Sequence, residues 1–220
     1  RCSLQRVRVE ASGRSMTTGA GRGTMESGAV TEFSDVALIG VVPEVYRTLY
    51  ELTCQPGVIE NWRYSGVWPS YEEFVDRLWR DVFIQYCVVS RTRAELIGLV
   101  QCFSANFRHG TAQFGLVFTP GVHASGLPLI AASLFLDQLV LKFGFRKLYA
   151  EVPERNYHHF ASGVGRYFVH EGTLVNHEFF EGDYADTHLI AVHADEWRRS
   201  SPTMSSIDAQ GIPDPGGINE

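Results

Sequence analysis

The 220-residue chain carries a formal net charge of -6 and a pI near 5.8, with 45% hydrophobic and 20% charged residues. That balance suits a globular protein and excludes the basic face that a nucleic-acid partner demands. No apolar run approaches the roughly 20 residues that span a bilayer, so no membrane partner is expected. The acidic field tolerates cationic or amine substrates. Cys2, Cys54, Cys87 and Cys102 show no CxxC spacing. They read as reduced thiols of a cytoplasmic protein, with Cys87 and Cys102 buried in strands and no metal site.

Residues 1–34 are rich in Gly, Ser, Thr and Arg without hydrophobic periodicity, and predict a disordered leader. Asp35–Val42 predicts a first strand. Pro43-Glu44 then starts a helix whose face carries Val45, Leu49 and Leu52 and which ends before Pro56-Gly57. A polar and aromatic loop through Tyr64, Trp68 and Pro69 follows. Ser70-Tyr-Glu-Glu73 has the capping-box pattern and opens a helix with Phe74, Leu78 and Trp79. Phe83–Ser90 and Leu96–Ala105 make a hairpin across the polar link 91–95.

Phe114–Thr119 is an apolar strand bounded by Pro120-Gly121. From about Leu129 to Lys142 the spacing predicts a long amphipathic helix, with Lys142 and Gly144 as its end signals. Lys147–Val152 is a second strand, so the stretch is a βαβ unit with a parallel pair. Its first turn delivers backbone N–H groups to a helix N-terminus, a place suited to anions such as phosphate. Asn156 opens a helix running to about Gly165, weakened by Gly163 and Gly165. Tyr167–Glu178 and Tyr184–Val192 close the fold as an antiparallel hairpin, Glu196-Trp197 ends it, and residues 199–220 predict a disordered tail. The class is α/β (α+β): a single domain over 35–198 with a mixed sheet of about seven strands and helices on both faces.

The ordered motifs of residues 35–198 resemble the GNAT acyltransferases, specifically the ribosomal-protein N-terminal acetyltransferase (RimJ/RimL-like) branch. His123-Ala-Ser-Gly126-Leu-Pro128 aligns with the family's phosphate loop, Arg/Gln-x-x-Gly-x-Gly/Ala. Phe143-Gly-Phe-Arg-Lys-Leu-Tyr-Ala-Glu-Val152 looks like its strand entry, and Asn156 like the Asn beyond that strand. Phe168-Val-His-Glu-Gly172 matches "GF-x-x-EG", Gly182-Asp-Tyr-Ala-Asp186 resembles "dGxyxD", and Glu196-Trp197 the closing "EW". The resemblance implies a sheet splayed between its two middle parallel strands, where acetyl-CoA or another acyl-CoA sits.

It further implies a cofactor site from Leu116, Val117, Phe118, His123, Ala124, Ser125, Gly126, Leu127, Asn156 and Phe160. The loop departs from the family at His123, in place of Arg or Gln, and at Pro128, which has no N–H to give. The family's Tyr acid falls on Gly163 and is absent. The branch's Ser falls on His159, which becomes the candidate acid, with packing in a His158-His159 pair as the alternative. The branch's base falls on Glu178, with a solvated carboxylate near a hairpin end as the alternative. Asn156 either bonds the pantetheine arm or caps its helix. Trp62, Tyr64, Trp68 and Tyr86 wall the acceptor site or belong to the core.

The implied activity is transfer of an acyl group to a primary amine: a peptide N-terminus, an amino sugar or a small amine. Two further readings stay open, both from His123 and Pro128: an acyl group delivered by a carrier protein, or a non-catalytic module. A homodimer through the closing hairpin suits the family.

Overall fold

The computed structural model describes residues 31–33 and 35–203. The expected leader before residue 31 and the tail beyond 203 lie outside the described residues. In chain order the strands β1 (Thr31–Phe33), β2 (Val36–Gly40), β3 (Val82–Ser90), β4 (Glu95–Asn106), β5 (Thr111–Phe118), β6 (Lys147–Pro153), β7 (Val169–Phe180) and β8 (Asp183–His193) form one mixed sheet in the order β1-β2-β3-β4-β5-β6-β8-β7. The described residues divide into two compact units, one holding those up to Leu78 with Gln85–Val100 and Leu116–Ala131, the other Trp79–Ile84, Gln101–Gly115 and those from Ala132 to Thr203.

In the first unit β1 (Thr31–Phe33) pairs antiparallel with β2 (Val36–Gly40), so a strand falls inside the segment expected to be leader. β2 in turn pairs antiparallel with β3 (Val82–Ser90), from Val36↔Ser90 to Gly40↔Tyr86. Asp35 accepts bonds from the Thr92 N–H at 2.5 Å and the Ser90 hydroxyl at 2.9 Å. The Thr92 bonds, more than Ser90 and Arg93, hold its carboxyl below the usual range. A 3₁₀ turn at Pro43–Val45 feeds α1 (Tyr46–Thr53), which buries Leu49 and Leu52.

The capping box forms at α2 (Tyr71–Leu78): the Ser70 N–H gives to Glu73 Oε2 at 2.9 Å, and the Glu73 N–H gives to Ser70 Oγ at 3.2 Å. Two N-terminal groups of the helix are thereby satisfied. α1, α2 and the 58–64 turn bury Leu49, Ile59, Phe74 and Leu78 against Cys87 and Leu99. Each such side chain contributes about 1.5–3 kcal/mol of burial.

The second unit contains the closing part of the sheet. β5 (Thr111–Phe118) begins there and runs parallel to β6 (Lys147–Pro153) over Thr111↔Lys147, Ala112↔Leu148 and Gln113↔Tyr149. Beyond those pairs β6 continues to Pro153 against β8 (Asp183–His193), and β7 (Val169–Phe180) lies outside β8 as the last strand. β4 (Glu95–Asn106) precedes β5, and α3 (Leu127–Lys142) is the crossover, so the βαβ unit is present.

α3 is not amphipathic. Every residue from Ala131 to Val140 is buried, including Ser133, Asp137 and Gln138. Leu129 and Leu141, apolar residues near the two ends of the helix, are exposed. Asp137 faces inward because three donors meet it there. Trp197 Nε1 from α5 (Ala194–Ser200) donates at 2.7 Å, Ser201 Oγ at 2.8 Å and Thr203 Oγ1 at 2.5 Å. Residues 199–203, assigned by sequence to the tail, are thus part of the fold, with Thr203 1% exposed.

α4 (Glu154–Ala161) is shorter than expected and starts earlier. Asn156 sits inside its first turn; the cap position is Pro153, with no side-chain bond, so Asn156 does not cap the helix. Gly163 lies past the end, and a Cβ there would come within 2.8 Å of the Phe168 ring.

Candidate active site

The first unit supplies the loop. β5 ends with Leu116 half-buried and Val117 and Phe118 buried. Pro120–Ser125 then forms a 3₁₀ turn, and Gly126 takes the left-handed conformation at φ 77 before α3 begins. Glycine adopts that conformation without strain. His123, Ala124, Ser125 and Gly126 are exposed, while Leu127 is buried.

The donor inventory at this helix start is specific. The Leu127 N–H gives to Ser125 Oγ at 3.3 Å, Pro128 has none, and the Ile130 N–H gives to the Gly126 carbonyl at 3.2 Å. What the turn presents to an anion is therefore its own exposed backbone and the positive end of a 16-residue helix. Trp62 packs half-buried on the unit's core and Tyr64 lies within it, so both have packing roles. Trp68 is 63% exposed, and Tyr86 on β3 is half-buried, which raises its phenol pKa.

The second unit holds α4 and the closing hairpin, with the other expected site residues. Asn156, His159 and Phe160 share one face of α4 by their i, i+3, i+4 spacing. Asn156 and Phe160 are half-buried, and Phe160 meets Phe168 edge to face at 5.9 Å. His159 is exposed, its ring 3.8 Å from that of His158. Glu178 is the base that the resemblance implied, with a solvated carboxylate as the alternative. In the structure both its oxygens accept from the Arg155 guanidinium, the bidentate geometry of a charge-assisted ion pair.

A cluster that the sequence did not announce lies beside it. His188 on β8 bonds Glu154 Oε2 through Nε2, while its Nδ1 lies 3.2 Å from His170 Nε2 and 3.3 Å from Thr173 Oγ1. Tyr157 stacks on the His188 ring at 3.9 Å and 25°. His170 and Thr173 are an odd number of residues apart, so regular strand alternation puts them on opposite faces. A bulge between His170 and Gly172 removes that alternation, and both reach His188. Alternation was the one signal available, and it pointed the wrong way.

Other reactive groups are set aside by their surroundings. Burial pushes the Cys87 and Cys102 thiols up to about 12, far from the thiolate a nucleophile needs. Among the described residues no three His, Cys, Asp or Glu side chains gather into a metal site. No described helix is long and apolar enough to cross a membrane.

No family model matches the chain. A spermidine N(1)-acetyltransferase of Vibrio cholerae is 29% identical over 145 residues, covering 64% of this chain and 82% of that protein. The structure of the spermidine N-acetyltransferase of Vibrio cholerae in complex with CoA and spermine aligns with a TM-score of 0.64 at 22% identity. That alignment covers 74% of this chain and 98% of that one. A spermidine/spermine N-acetyltransferase from the same organism, in complex with manganese ions, aligns with a TM-score of 0.61 at 21% identity over 76% and 97% of the two chains.

The chain has the GNAT fold.

The finer expectation is not supported, since these relatives are spermidine acetyltransferases and not members of the ribosomal-protein branch. His159 lies three residues past Asn156, and Gly163, where the resemblance puts the family's Tyr, lies past the end of α4. Phe168 fills the space there, so no aromatic acid fits at that point.

Proposed function

We propose that the chain is an acyl-CoA-dependent N-acetyltransferase whose acceptor is a primary amine of polyamine type. The observation that carries this is the strand–turn–helix of 116–142 in a fold shared with a protein bound to CoA and spermine. The net charge of -6 agrees with a polycationic acceptor, because a negative field raises its local concentration.

The thioester supplies an activated acyl carbon. His123–Leu127 and the α3 N-terminus hold the pyrophosphate through backbone donors and the helix dipole. Asn156 orients the pantetheine arm through its amide, and Phe160 lies along it. His159, on the same helical face, donates a proton to the departing thiolate. Trp68 and Tyr86 contact the acceptor. Peptide N-termini and amino sugars are weaker acceptors in this reading, lacking the repeated positive charge.

A second reading keeps the chemistry but takes the acyl group from a carrier protein, where only the pantetheine arm enters. Pro128 and the internal bond of Leu127 favour it, since both reduce the donors offered to a pyrophosphate. Calorimetry with acetyl-CoA, followed by thiol release in the presence of spermidine, separates the two. Binding together with spermidine-dependent thiol release supports the first. Thiol release from an acylated carrier protein without acetyl-CoA binding supports the second, and neither signal would refute both.

A further inference from the structure

We propose that His170, His188 and Glu154 form a proton relay that removes the proton from the acceptor's ammonium group. The inference rests on the transferase reading above and names the base of that reaction. An amine at neutral pH is protonated and cannot attack a thioester, so a transferase needs a proton acceptor. Glu178, the acceptor expected from the sequence, has both oxygens on Arg155. The cluster around His188 offers an acceptor with a path for the proton.

The bonds assign the roles. The Glu154 carboxylate can only accept, so His188 carries its proton on Nε2 and presents a lone pair at Nδ1. That lone pair faces His170 Nε2 at 3.2 Å, which therefore donates, leaving the other nitrogen of His170 as the proton acceptor at the exposed end. Thr173 Oγ1 lies 3.2 Å from His170 Nε2 and 3.3 Å from His188 Nδ1 and steadies the junction. The groups facing His188 are Glu154 and Tyr157 from α4, His170 and Thr173 from β7, and Val152 as its cross-strand neighbour on β6. Among these described residues none is a Lys or Arg. Glu154 and Tyr157 lie in the helical turn that carries Asn156.

The step balances. The ammonium R–NH3+ gives one proton to the outer nitrogen of His170. The Nε2 proton of His170 passes to His188 Nδ1, and the charge formed there is held against Glu154. The neutral amine attacks the acyl carbon, the C–S bond breaks, His159 gives its proton to the thiolate, and the amine's second proton replaces it on His159. The net products are amide, free thiol and one proton returned through His170 to water. His170 is the catalytic residue; His188 and Glu154 are positioning residues.

The test is spermidine acetylation by the full chain, read as thiol release, for wild type, His170→Ala, His188→Asn and Glu154→Gln. General-base loss predicts kcat lower by about 100-fold at pH 7 in His170→Ala and His188→Asn, with KM for acetyl-CoA within about twofold of wild type. The variants' rates climb about tenfold per pH unit up to pH 9, because the neutral fraction of an alkylamine with pKa near 10.4 does so. Imidazole in the buffer restores His170→Ala. If His188→Asn does not fold, His170→Ala at the exposed end decides the matter. Variants within about threefold of wild type at pH 7 overturn the relay and leave the transferase standing. Loss of rate together with acetyl-CoA binding also overturns it, as a merely structural role. A wild type that binds acetyl-CoA but acetylates no amine overturns the transferase reading, and the relay with it.

Discussion

Arg155 and Glu178 meet fork to fork: Nη1 reaches Oε2 at 2.7 Å and Nη2 reaches Oε1 at 2.8 Å. The guanidinium also lies 4.1 Å from the centre of the Phe180 ring, so one side chain ties α4 to the far end of β7. Both partners are partly buried, with 20% and 29% of their side chains exposed.

Glu178→Gln keeps the shape of this contact and removes its charge. We expect a stability loss of about 1 kcal/mol, discounted for solvent access, measured by urea denaturation. We expect kcat to stay within about tenfold of wild type. A 100-fold fall in kcat at unchanged stability would return Glu178 to the role of base.

Asp137 is the acceptor on which the chain's last described turn closes. Burial raises its carboxyl above the ordinary value, against the pull of Thr203, Ser201 and Trp197. A raised folded-state pKa contributes stability that is present below the unfolded value, about 3.9, and lost as pH rises through the folded value. Asp137→Asn does not titrate. Its stability relative to wild type should therefore be higher at pH 7 than at pH 4.5, read as the difference in denaturation midpoints. Asp137→Ala strands three buried donors and should cost on the order of 3 kcal/mol.

Gly163 has no room for a side chain, with Phe168 ring atoms 2.8 Å from the place of a Cβ. Gly163→Ala should cost about 1–3 kcal/mol by overpacking. Gly163→Tyr should lower the melting temperature further and leave kcat no higher, where a vacant acid site would show a gain.

Pro128 lies in the first turn of α3, one residue beyond its start. Pro128→Gly adds a donor to the loop, and a hydrogen bond to a charged group is worth about 1.5–3 kcal/mol. We expect acetyl-CoA to bind at least about tenfold tighter by calorimetry. Unchanged affinity would mean that the pyrophosphate does not rest on this turn.

The fold was legible because its signals are local. Ser70 and Glu73 announced a capping box that the structure contains, and Pro120-Gly121 and Gly144 bracketed the crossover helix. Local pattern failed where long-range partners decide. Asp137 reads as the polar face of a helix until Trp197, Ser201 and Thr203 arrive from about sixty residues away.

By itself the sequence determined the strand–turn–helix–strand of 114–152 and the order of elements around it, because propensity, turn residues and hydrophobic period act within a few residues. Only the tertiary structure decided which charged and polar groups meet. Arg155 pairs with Glu178, while a bulge in β7 turns His170 and Thr173 onto the face of His188, which bonds Glu154. Ion pairing and strand register join residues distant in the chain, and neither is written in the spacing of any one segment.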